Sequence, residues 1–405
     1  MSLWKTVPFW TVARRVERTG VPDARLLSVY RDWGVVPKDS RDDNFNRASE
    51  DLSNYKIVHP GDLVLNKMKT WQGSLGVSDY NGIVSPAYFV CELGPSVNGR
   101  YLHHLLRSQA MIAAFRANSK GIRPNQWDLP YEVLHDIPLP MPPLEEQRRI
   151  ADFLDDRVAR IDQIIAARQQ QAELAVALNS ASLESEVRRL TETRGYAPMR
   201  RFGFRIEQGW SPEADSIPAE DGELGILKLG AVRAGTFDPS QNKKMLAEMH
   251  PRDEFALHRG DLLITRANTP SLVGDVAWVD QDFPNLYLSD LIYRVRLQRF
   301  DHAAACAALR TQQIRQEIGV IARGTSSSMP KLRGEDIASL PLPLATAAEQ
   351  RGLAALDANI RGAQESQVSL LQAQIIRWQE YKQSLITAAV TGEFDVTIAS
   401  TKIPE

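Results

Sequence analysis

Two windows of the chain place apolar residues at the three- and four-residue spacing of an amphipathic helix. The first window covers residues 145–195 and the second residues 345–390, and both contain almost no glycine or proline. In the first, the spacing is set by Ile150, Leu154, Val158, Ile161 and Ile165, and is continued by Leu174 and Leu178. In the second, it is set by Leu353, Leu356, Ile360, Leu371, Ile375, Trp378 and Leu385. Each window predicts one long helix.

These helices are too long to be covered by one small domain. At 1.5 Å per residue, a helix of about 35 residues extends about 50 Å, and its apolar stripe needs a second long helix to pack against. The two helices are therefore predicted to pack antiparallel as a coiled coil. The side chains expected at this contact are Ile150, Leu154, Ile161, Ile165, Leu371, Ile375, Trp378 and Leu385.

The stretches outside these windows, residues 1–144 and 196–344, have a different pattern. Short β-prone runs, such as residues 83–90 and 286–297, alternate with Gly, Asn, Asp and Pro, and residues 101–119 have a helical pattern. Each stretch predicts a mixed α/β domain, and residues 391–405 follow as a tail. The expected fold class is α+β, with two tandem mixed α/β domains and two long helices.

The two halves of the chain resemble each other. Residues 61–80 match residues 260–279, each with Gly-Asp, an apolar run, polar and basic residues and a glycine-containing return. The Arg-x-Glu at Arg15 matches that at Arg205, and residues 119–140 match residues 322–343. Three matches in the same order indicate a duplicated unit. Two such copies predict a pseudo-twofold arrangement.

A proline-rich run precedes each predicted helix. Pro138, Pro140, Pro142 and Pro143 predict an extended, polyproline-like segment that cannot continue as helix. Glu145 and Glu146 then fall in the first helical turn, where carboxylates are favoured by the helix dipole. The second copy has Ala-Thr-Ala-Ala at residues 345–348 in place of the later prolines, so the two helix starts are expected to differ in rigidity.

Composition limits the possible classes of protein. The 405 residues include 48 Lys and Arg against 50 Asp and Glu, and residues 1–144, with 17 basic and 14 acidic side chains, have the largest positive excess. Any binding of nucleic acid must therefore rely on focused basic loops or on partner proteins. Cys91 and Cys306 are far apart and suggest neither a disulfide framework nor a zinc site. With no signal-like or membrane-spanning pattern, we expect a cytoplasmic protein.

Three segments together resemble the specificity subunits of type I restriction-modification enzymes. They are "IPLPMPPLEEQRRIADFLDDRVARID" from residue 137, its degenerate copy "LPLPLATAAEQRGLAALDANI" from residue 340, and "WQEYKQSLITAAVTGEFDV" from residue 378. The resemblance implies that each α/β domain is a target recognition domain for one half of a split site in double-stranded DNA. It also implies that the helices act as a spacer and dock two methyltransferase subunits, with restriction subunits joining further out.

The sequence offers little chemistry of its own. It lacks a GxxxxGK[ST] phosphate loop, a methyltransferase cofactor turn and an Asn/Asp-Pro-Pro-aromatic loop. Glu380 and Lys382 lie two apart on a helix, where side chains diverge, and are expected on a solvated face. His103 and His104 are adjacent and point apart, so a metal site is not expected. We therefore expect no catalytic residue, metal or cofactor.

DNA contacts are predicted on two loop segments in each half, because arginine and amide side chains can bond base edges while Ser, Thr and Lys suit phosphates. Trp71, in the first of them, can equally fill the core of its own domain. The candidates are Lys67, Lys69, Thr70, Gln72, Lys120, Arg123, Asn125 and Gln126 in the first half, and Arg266, Asn268, Thr269, Arg323, Ser326 and Lys331 in the second. The alternative is that these are ordinary solvated turns.

Three functions remain to be weighed. A DNA specificity scaffold explains both the repeat and the paired loops. A coiled-coil protein-interaction scaffold without DNA specificity explains the helices but not the loops. A free-standing nuclease or methyltransferase conflicts with the missing motifs. Because the loops of the two halves differ in sequence, the first function predicts an asymmetric bipartite DNA target.

Overall fold

The computed structural model describes residues 4–21, 23–31, 33–40, 48–49, 51–121, 127–250, 252–322 and 329–397. The chain divides into two compact units. Unit 1 comprises Met1–Gln169 and Gln372–Glu405, and unit 2 comprises Gln170–Leu371. The predicted fold class, with two sheet-containing regions and two long helices, is confirmed. In the described part, no helix is both long enough and apolar enough to cross a bilayer.

Unit 1 is built on a four-stranded antiparallel sheet in the order β2-β9-β6-β7, with α1 and α2 packed beside it. Strands β3 and β4 form a hairpin, and β5 pairs with β8. The elements in chain order are β1 Thr6–Pro8, β2 Ala13–Val16, β3 Leu27–Tyr30, β4 Gly34–Pro37, β5 Lys56–Val58, β6 Leu63–Asn66, β7 Leu75–Val77, β8 Gly82–Val84, β9 Tyr88–Leu93, α1 Gly99–Leu106, α2 Gln109–Asn118, α3 Tyr131–His135, β10 Pro138–Pro140 and α4 Leu144–Arg194.

Unit 2 contains a six-stranded sheet in the order β12-β21-β18-β19-β15-β14 and a four-stranded sheet in the order β16-β13-β20-β17. The remaining elements in chain order are β11 Tyr196–Pro198, β12 Arg205–Gln208, β13 Gly225–Leu227, β14 Val232–Arg233, β15 Gly235–Phe237, β16 Asn242–Lys244, β17 Ala256–Leu257, β18 Leu262–Thr265, β19 Val276–Trp278, β20 Phe283–Tyr287, β21 Ile292–Arg296, α5 His302–Leu309, α6 Gln312–Ile321, α7 Gly334–Ser339, β22 Pro341–Pro343 and α8 Ala347–Thr391. Helices α4 and α8 each contribute residues to both units.

The proline-rich runs are extended, as predicted, but part of each run is a paired strand rather than free polyproline. In unit 1, β10 pairs antiparallel with β1, with Thr6 opposite Pro140. In unit 2, β22 pairs antiparallel with β11, with Tyr196 opposite Pro343. Proline is tolerated here because each sheet has only two strands, so the missing N–H groups interrupt no further ladder.

Both long helices extend over nearly the whole of the windows predicted for them, with 51 residues in α4 and 45 in α8. In unit 1, Leu154 of α4 shares a hydrophobic core with Ile386 and Ala389 of α8. In unit 2, Leu190 shares a core with Leu353. Within unit 1 the two helices run antiparallel, because Asp162, two turns after Leu154 on α4, pairs with Lys382, which precedes Ile386 on α8.

The predicted helix contact residues are largely enclosed. Five of them are buried, namely Ile150, Leu154, Ile161, Ile165 and Leu371. The other three, Ile375, Trp378 and Leu385, are half-buried. The prediction that Leu174 and Leu178 continue the face is wrong, because they are 53% and 69% exposed while Ala175 is buried. The buried residues of α4 recur about every 3.5 positions and include Ala175 and Leu183. Leu174 and Leu178 lie outside this repeat although their side chains are larger than that of Ala175.

Lys382 also departs from the solvated face predicted for it. Its Nζ lies 2.6 Å from Asp162 Oδ1 on α4, within unit 1. The reason is that the sequence shows only neighbours on the same helix, whereas the carboxylate partner belongs to the other helix. The ion pair adds charge complementarity to the apolar contact of α4 with α8, as in flanking positions of coiled coils.

The start of α8 is fixed differently from that of α4. Where α4 follows prolines, α8 begins with a capping box in which Thr346 Oγ1 donates to Glu349 and accepts from the Glu349 N–H. Hydrogen bonds from the Thr346 backbone and hydroxyl, with a further one from Arg194, lower the pKa of Glu349 to about 2. The carboxylate is therefore ionised at neutral pH and anchors this helix start.

Two glutamines at matching positions of the repeat perform the same structural task. Gln147 Oε1 accepts from the Asn98 N–H at 2.8 Å, and its Nε2 donates to the Pro142 carbonyl at 2.9 Å. Gln350 Oε1 accepts from the Asp301 N–H at 2.8 Å, and its Nε2 donates to the Ala345 carbonyl at 2.9 Å. Each buried amide thus ties the residue that caps α1 or α5 to the segment entering the long helix.

Replacing Gln147 with alanine is expected to lower the free energy of unfolding by about 1–3 kcal/mol, because it leaves buried backbone groups without partners. Denaturant unfolding of the full chain measures the loss. Gln170→Ala, at an exposed position of the same helix, is the control and should change stability by less than about 0.5 kcal/mol. An equal effect of the two substitutions would contradict the role assigned to Gln147.

Candidate nucleic-acid interface

In unit 1 the first predicted segment is the loop between β6 and β7, residues 67–74, here called loop A1. Thr70 is buried, and its hydroxyl donates to the Asn66 carbonyl at 2.8 Å. Trp71 is also buried, and its indole N–H donates to the Met68 carbonyl at 3.1 Å. Thr70 therefore shapes the loop from inside, whereas Lys69 is exposed and Gln72 is half-buried.

The second segment of unit 1, residues 119–129, is here called loop B1. Lys120 and Asp128 pair through their backbones, with N···O distances of 2.9 and 2.8 Å. The Lys120 side chain is exposed. Three of the predicted contacts, Arg123, Asn125 and Gln126, lie outside the described residues. In the described part of loop B1, the paired backbones thus hold Lys120 and Asp128 side by side.

The structure brings loops A1 and B1 together. The Leu129 N–H donates to the Lys67 carbonyl at 3.2 Å, and Lys67 Nζ lies 2.8 Å from Asp128 Oδ2. The indole rings of Trp71 and Trp127 are tilted against each other with centroids 4.9 Å apart. Segments some sixty residues apart in sequence therefore form one continuous surface.

The corresponding segments of unit 2 meet in the same way. Loop A2 is residues 266–275, after β18, and loop B2 is residues 322–333. The Leu332 N–H donates to the Arg266 carbonyl at 2.9 Å, as Leu129 does to Lys67 in unit 1. The Asn268 N–H also approaches the Pro330 carbonyl, at 3.4 Å. The repeat has therefore preserved the junction of the two loops.

The predicted contacts of unit 2 differ in exposure. Lys331 and Thr269 are exposed, while Arg266 and Asn268 are half-buried. Arg315 on α6 donates to the backbone carbonyls of Ser271 and Val273, which holds loop A2 in place. Arg323 and Ser326 lie outside the described residues.

A half-open cavity of about 330 Å³ lies beside the junction in unit 1. Its lining combines cations, a carboxylate, aromatic rings and aliphatic side chains. These residues are Arg15, Lys56, Lys67, Met68, Pro86, Ala87, Phe89, Trp127 and Asp128. The Arg15 guanidinium lies 5.0 Å from the ring centre of Phe89, close enough for a cation–π contact. Such a surface can attract anions and stack against flat rings.

The charges around the cavity are mutually supported. Lys56 is buried, donates to the Tyr88 carbonyl at 2.8 Å and pairs with Glu17 at 3.1 Å. Burial disfavours ionisation of Glu17, but hydrogen bonds from Arg15 and Lys56 outweigh it and hold its pKa below the ordinary value. Glu17 is therefore ionised at neutral pH and balances two of the nearby cations.

Of these nine lining residues, the sequence predicts DNA contact for Lys67 alone. Arg15 was used only to align the repeat, and Lys56, Trp127 and Asp128 were not singled out. The signal that could have found Asp128 was its alignment with Lys331, since both stand directly before the leucine that joins the two loops.

The Gly-Asp pairs that begin residues 61–80 and 260–279 have a structural role. Asp62 and Asp261 are buried, and each carboxylate accepts the backbone N–H of the residue three positions earlier, His59 at 2.7 Å and His258 at 3.0 Å. Arg18 pairs with Asp62, whereas Arg294 and Arg296 pair with Asp261 at 3.2 and 2.9 Å. These carboxylates fix the turn before β6 or β18 and so position the loop at the other end of each strand.

The histidine pair has no metal-binding geometry. The rings of His103 and His104 are nearly perpendicular, with centroids 5.8 Å apart. Burial, helped by the charge of Arg107, lowers the pKa of His103 to about 3, and His104 Nε2 lies 2.8 Å from Asp155 Oδ1 on α4. Within the described ranges, no group of three His, Cys, Asp or Glu side chains is placed to hold a metal ion.

The model of the type I restriction modification DNA specificity domain matches residues 50–174. The specificity subunit of the Escherichia coli type I restriction enzyme EcoEI is 27% identical over 187 residues, covering 42% of this chain and 31% of that protein. The EcoKI specificity subunit of Escherichia coli strain K12 is 28% identical over 205 residues, covering 48% and 43%, respectively. This chain thus spans less than half the length of these curated relatives.

A solved structure described as addressing complex assembly and conformational transition of the type I restriction-modification system is also similar. The two chains superpose with a TM-score of 0.71 at 15% identity, over 96% of this chain and 98% of the other. At this identity the likeness shows a shared fold.

Proposed function

We propose that this chain, which belongs to the family of type I restriction-modification DNA specificity subunits, reads an asymmetric bipartite sequence in double-stranded DNA. Residues 1–144 and 196–344 act as its two target recognition domains. The observation that carries the proposal is the junction of two basic loops at the same place in both units, made by Lys67 with Leu129 and by Arg266 with Leu332.

The chemistry of the joined loops supports DNA contact. Lys69 and Lys120 of unit 1 and Lys331 of unit 2 are exposed cations beside polar groups, a combination that suits phosphates and base edges. Because the overall charge is −2, attraction to DNA is focused on these loops rather than spread over the surface. The loop sequences differ between the two units, so each unit selects its own half of the target.

In this proposal the chain determines which DNA sequence is bound, and partner subunits catalyse the reactions on the DNA. The curated relatives are named specificity subunits of restriction enzymes. In the proposed assembly, two methyltransferase subunits dock on α4 and α8, restriction subunits join them, and the chain itself is not catalytic. The partners then close on the duplex and add the affinity that a nearly neutral chain lacks.

The proposal is tested by producing the chain with a methyltransferase subunit of a type I system and mapping methylated bases in a library of random duplexes. We expect two short words, unlike each other and separated by a gap of fixed length. The methyltransferase alone is the control and should leave no such mark. Copurification without any sequence preference would instead favour a protein-interaction scaffold and would reject the proposal.

A further inference from the structure

The junction of the two loops places opposite charges at one equivalent position of the repeat. Asp128 directly precedes Leu129, whose N–H donates to the Lys67 carbonyl of loop A1. Lys331 directly precedes Leu332, whose N–H donates to the Arg266 carbonyl of loop A2. The same backbone contact therefore presents a carboxylate in one unit and an ammonium group in the other. The backbone bond is the same in both units and so does not determine which side chain stands at this position.

Asp128 retains capacity to accept hydrogen bonds. Its side chain is 40% exposed, and its Oδ2 pairs with Lys67 Nζ. Its Oδ1 is shielded from solvent and has no hydrogen-bond partner in the part of the chain that the structure describes, so an arriving donor meets Oδ2. An ionised carboxylate offers about four lone-pair sites, so Oδ2 can accept a second hydrogen bond beside the one from Lys67. A donor arriving at the loop junction can therefore share this carboxylate with Lys67.

The unit 2 position offers only donors. Lys331 is exposed and Arg266 is half-buried, and neither ammonium nor guanidinium can accept a hydrogen bond. In the major groove, guanine presents two acceptors, O6 and N7, whereas cytosine presents an amino donor. A carboxylate rejects guanine's acceptor edge and favours an amino group, and a pair of cations does the reverse.

We propose that this position sets one base preference in each half of the target. Asp128 selects a base with an exocyclic amino group in the major groove, cytosine above adenine, and Arg266 with Lys331 selects guanine in the other half-site. The inference rests on the proposed function and adds to it the chemical class of base at one position per unit.

The test uses the chain assembled with its methyltransferase subunits and a random duplex library. For Asp128→Asn, which preserves the shape of the side chain, we expect preference at a single base pair of one half-site to fall about 10- to 100-fold. The other half-site should be unchanged. For Lys331→Ala, the same fall is expected at a guanine of the other half-site.

Asp79→Asn is the matched control, because it removes an equal charge from an exposed site after the far end of β7, and it should leave the target unchanged. Lys67→Met separates a reading role from an ion-pair role. It should weaken methylation of all sequences alike and leave the preference at the Asp128 position in place.

Three results would overturn the inference. The target could stay the same in Asp128→Asn and Lys331→Ala, methylation could fall equally for every sequence in both, or Lys67→Met could abolish the same base preference. In all three cases the unaltered chain should still direct methylation of a bipartite DNA sequence, so the proposed function would stand. Absence of any bipartite mark with the unaltered chain would reject the function itself.

Discussion

Exchange of residues 1–144 for the corresponding region of a specificity subunit with another target should change one half of the methylated DNA sequence and leave the other half intact. Each mismatched base pair costs about 1–3 kcal/mol, so a half-site that differs at three base pairs costs about 3–9 kcal/mol. The original target should then be methylated at least a hundredfold more slowly. Sequencing of methylated library duplexes measures both halves in one experiment.

The junction at residue 144 is suitable for this exchange because part of what crosses it is backbone contact. Gln147 binds the Asn98 N–H and the Pro142 carbonyl, and these groups exist in any donor with the same fold. Side-chain contacts also cross it, since Ile150 and Leu154 pack in the core of unit 1 with Tyr101. The donor must therefore keep apolar residues at the positions that face α4.

The reciprocal exchange of residues 196–344 is the control and should change only the opposite half of the target. If either exchange altered both halves, or neither, residues 1–144 and 196–344 would not be separate recognition domains. Thermal unfolding of each hybrid shows whether a loss of methylation reflects misfolding.

Replacement of Arg294 by alanine should destabilise unit 2 by about 3–5 kcal/mol, the usual result of removing one partner from a buried ion pair. The Arg294 guanidinium is buried and donates to Glu207 at 2.6 Å, to the Ala256 carbonyl at 2.7 Å and to Asp261 at 3.2 Å. Its loss removes the side-chain donor from the Ala256 carbonyl and leaves Asp261 with Arg296 as its remaining ion-pair partner. Calorimetric unfolding of the full chain, which allows the units to melt separately, provides the measurement.

Two further variants serve as controls for the Arg294→Ala prediction. Arg233→Ala removes the same side chain from an exposed position in unit 2 and should cost less than about 0.5 kcal/mol. Arg18→Ala removes the partner of the equivalent aspartate in unit 1, where the arginine is 27% exposed, so solvent replaces part of the lost contact and the cost should be smaller. A loss for Arg294→Ala no larger than that for Arg233→Ala would show that the buried network adds nothing to stability.

The sequence predicted the local features well. The spacing of Ile150, Leu154 and Ile161 identified a long helix and its buried face, because helical periodicity depends only on neighbouring residues. The proline-rich runs were recognised as extended for the same reason, although their pairing with β1 and β11 was not. The repeat showed that the two loop segments would occur in both halves.

The sequence was less informative where the answer depended on a distant partner. The spacing places Leu174 and Leu178 on the buried stripe, yet Ala175 is buried instead. Thr70 was predicted to contact DNA, but its hydroxyl is satisfied within its own loop. Lys382 was assigned to solvent because its carboxylate partner, Asp162, lies far away in the chain.

The sequence by itself determined that the chain is a duplicated α+β protein with two long helices, and that each copy carries two polar loop segments. Only the tertiary structure decided that those segments meet, with Asp128 beside Lys67 in one unit and Lys331 beside Arg266 in the other. The physical reason is that periodicity and turn chemistry are local. The approach of residues some sixty positions apart is set instead by how strands and helices pack around a common core.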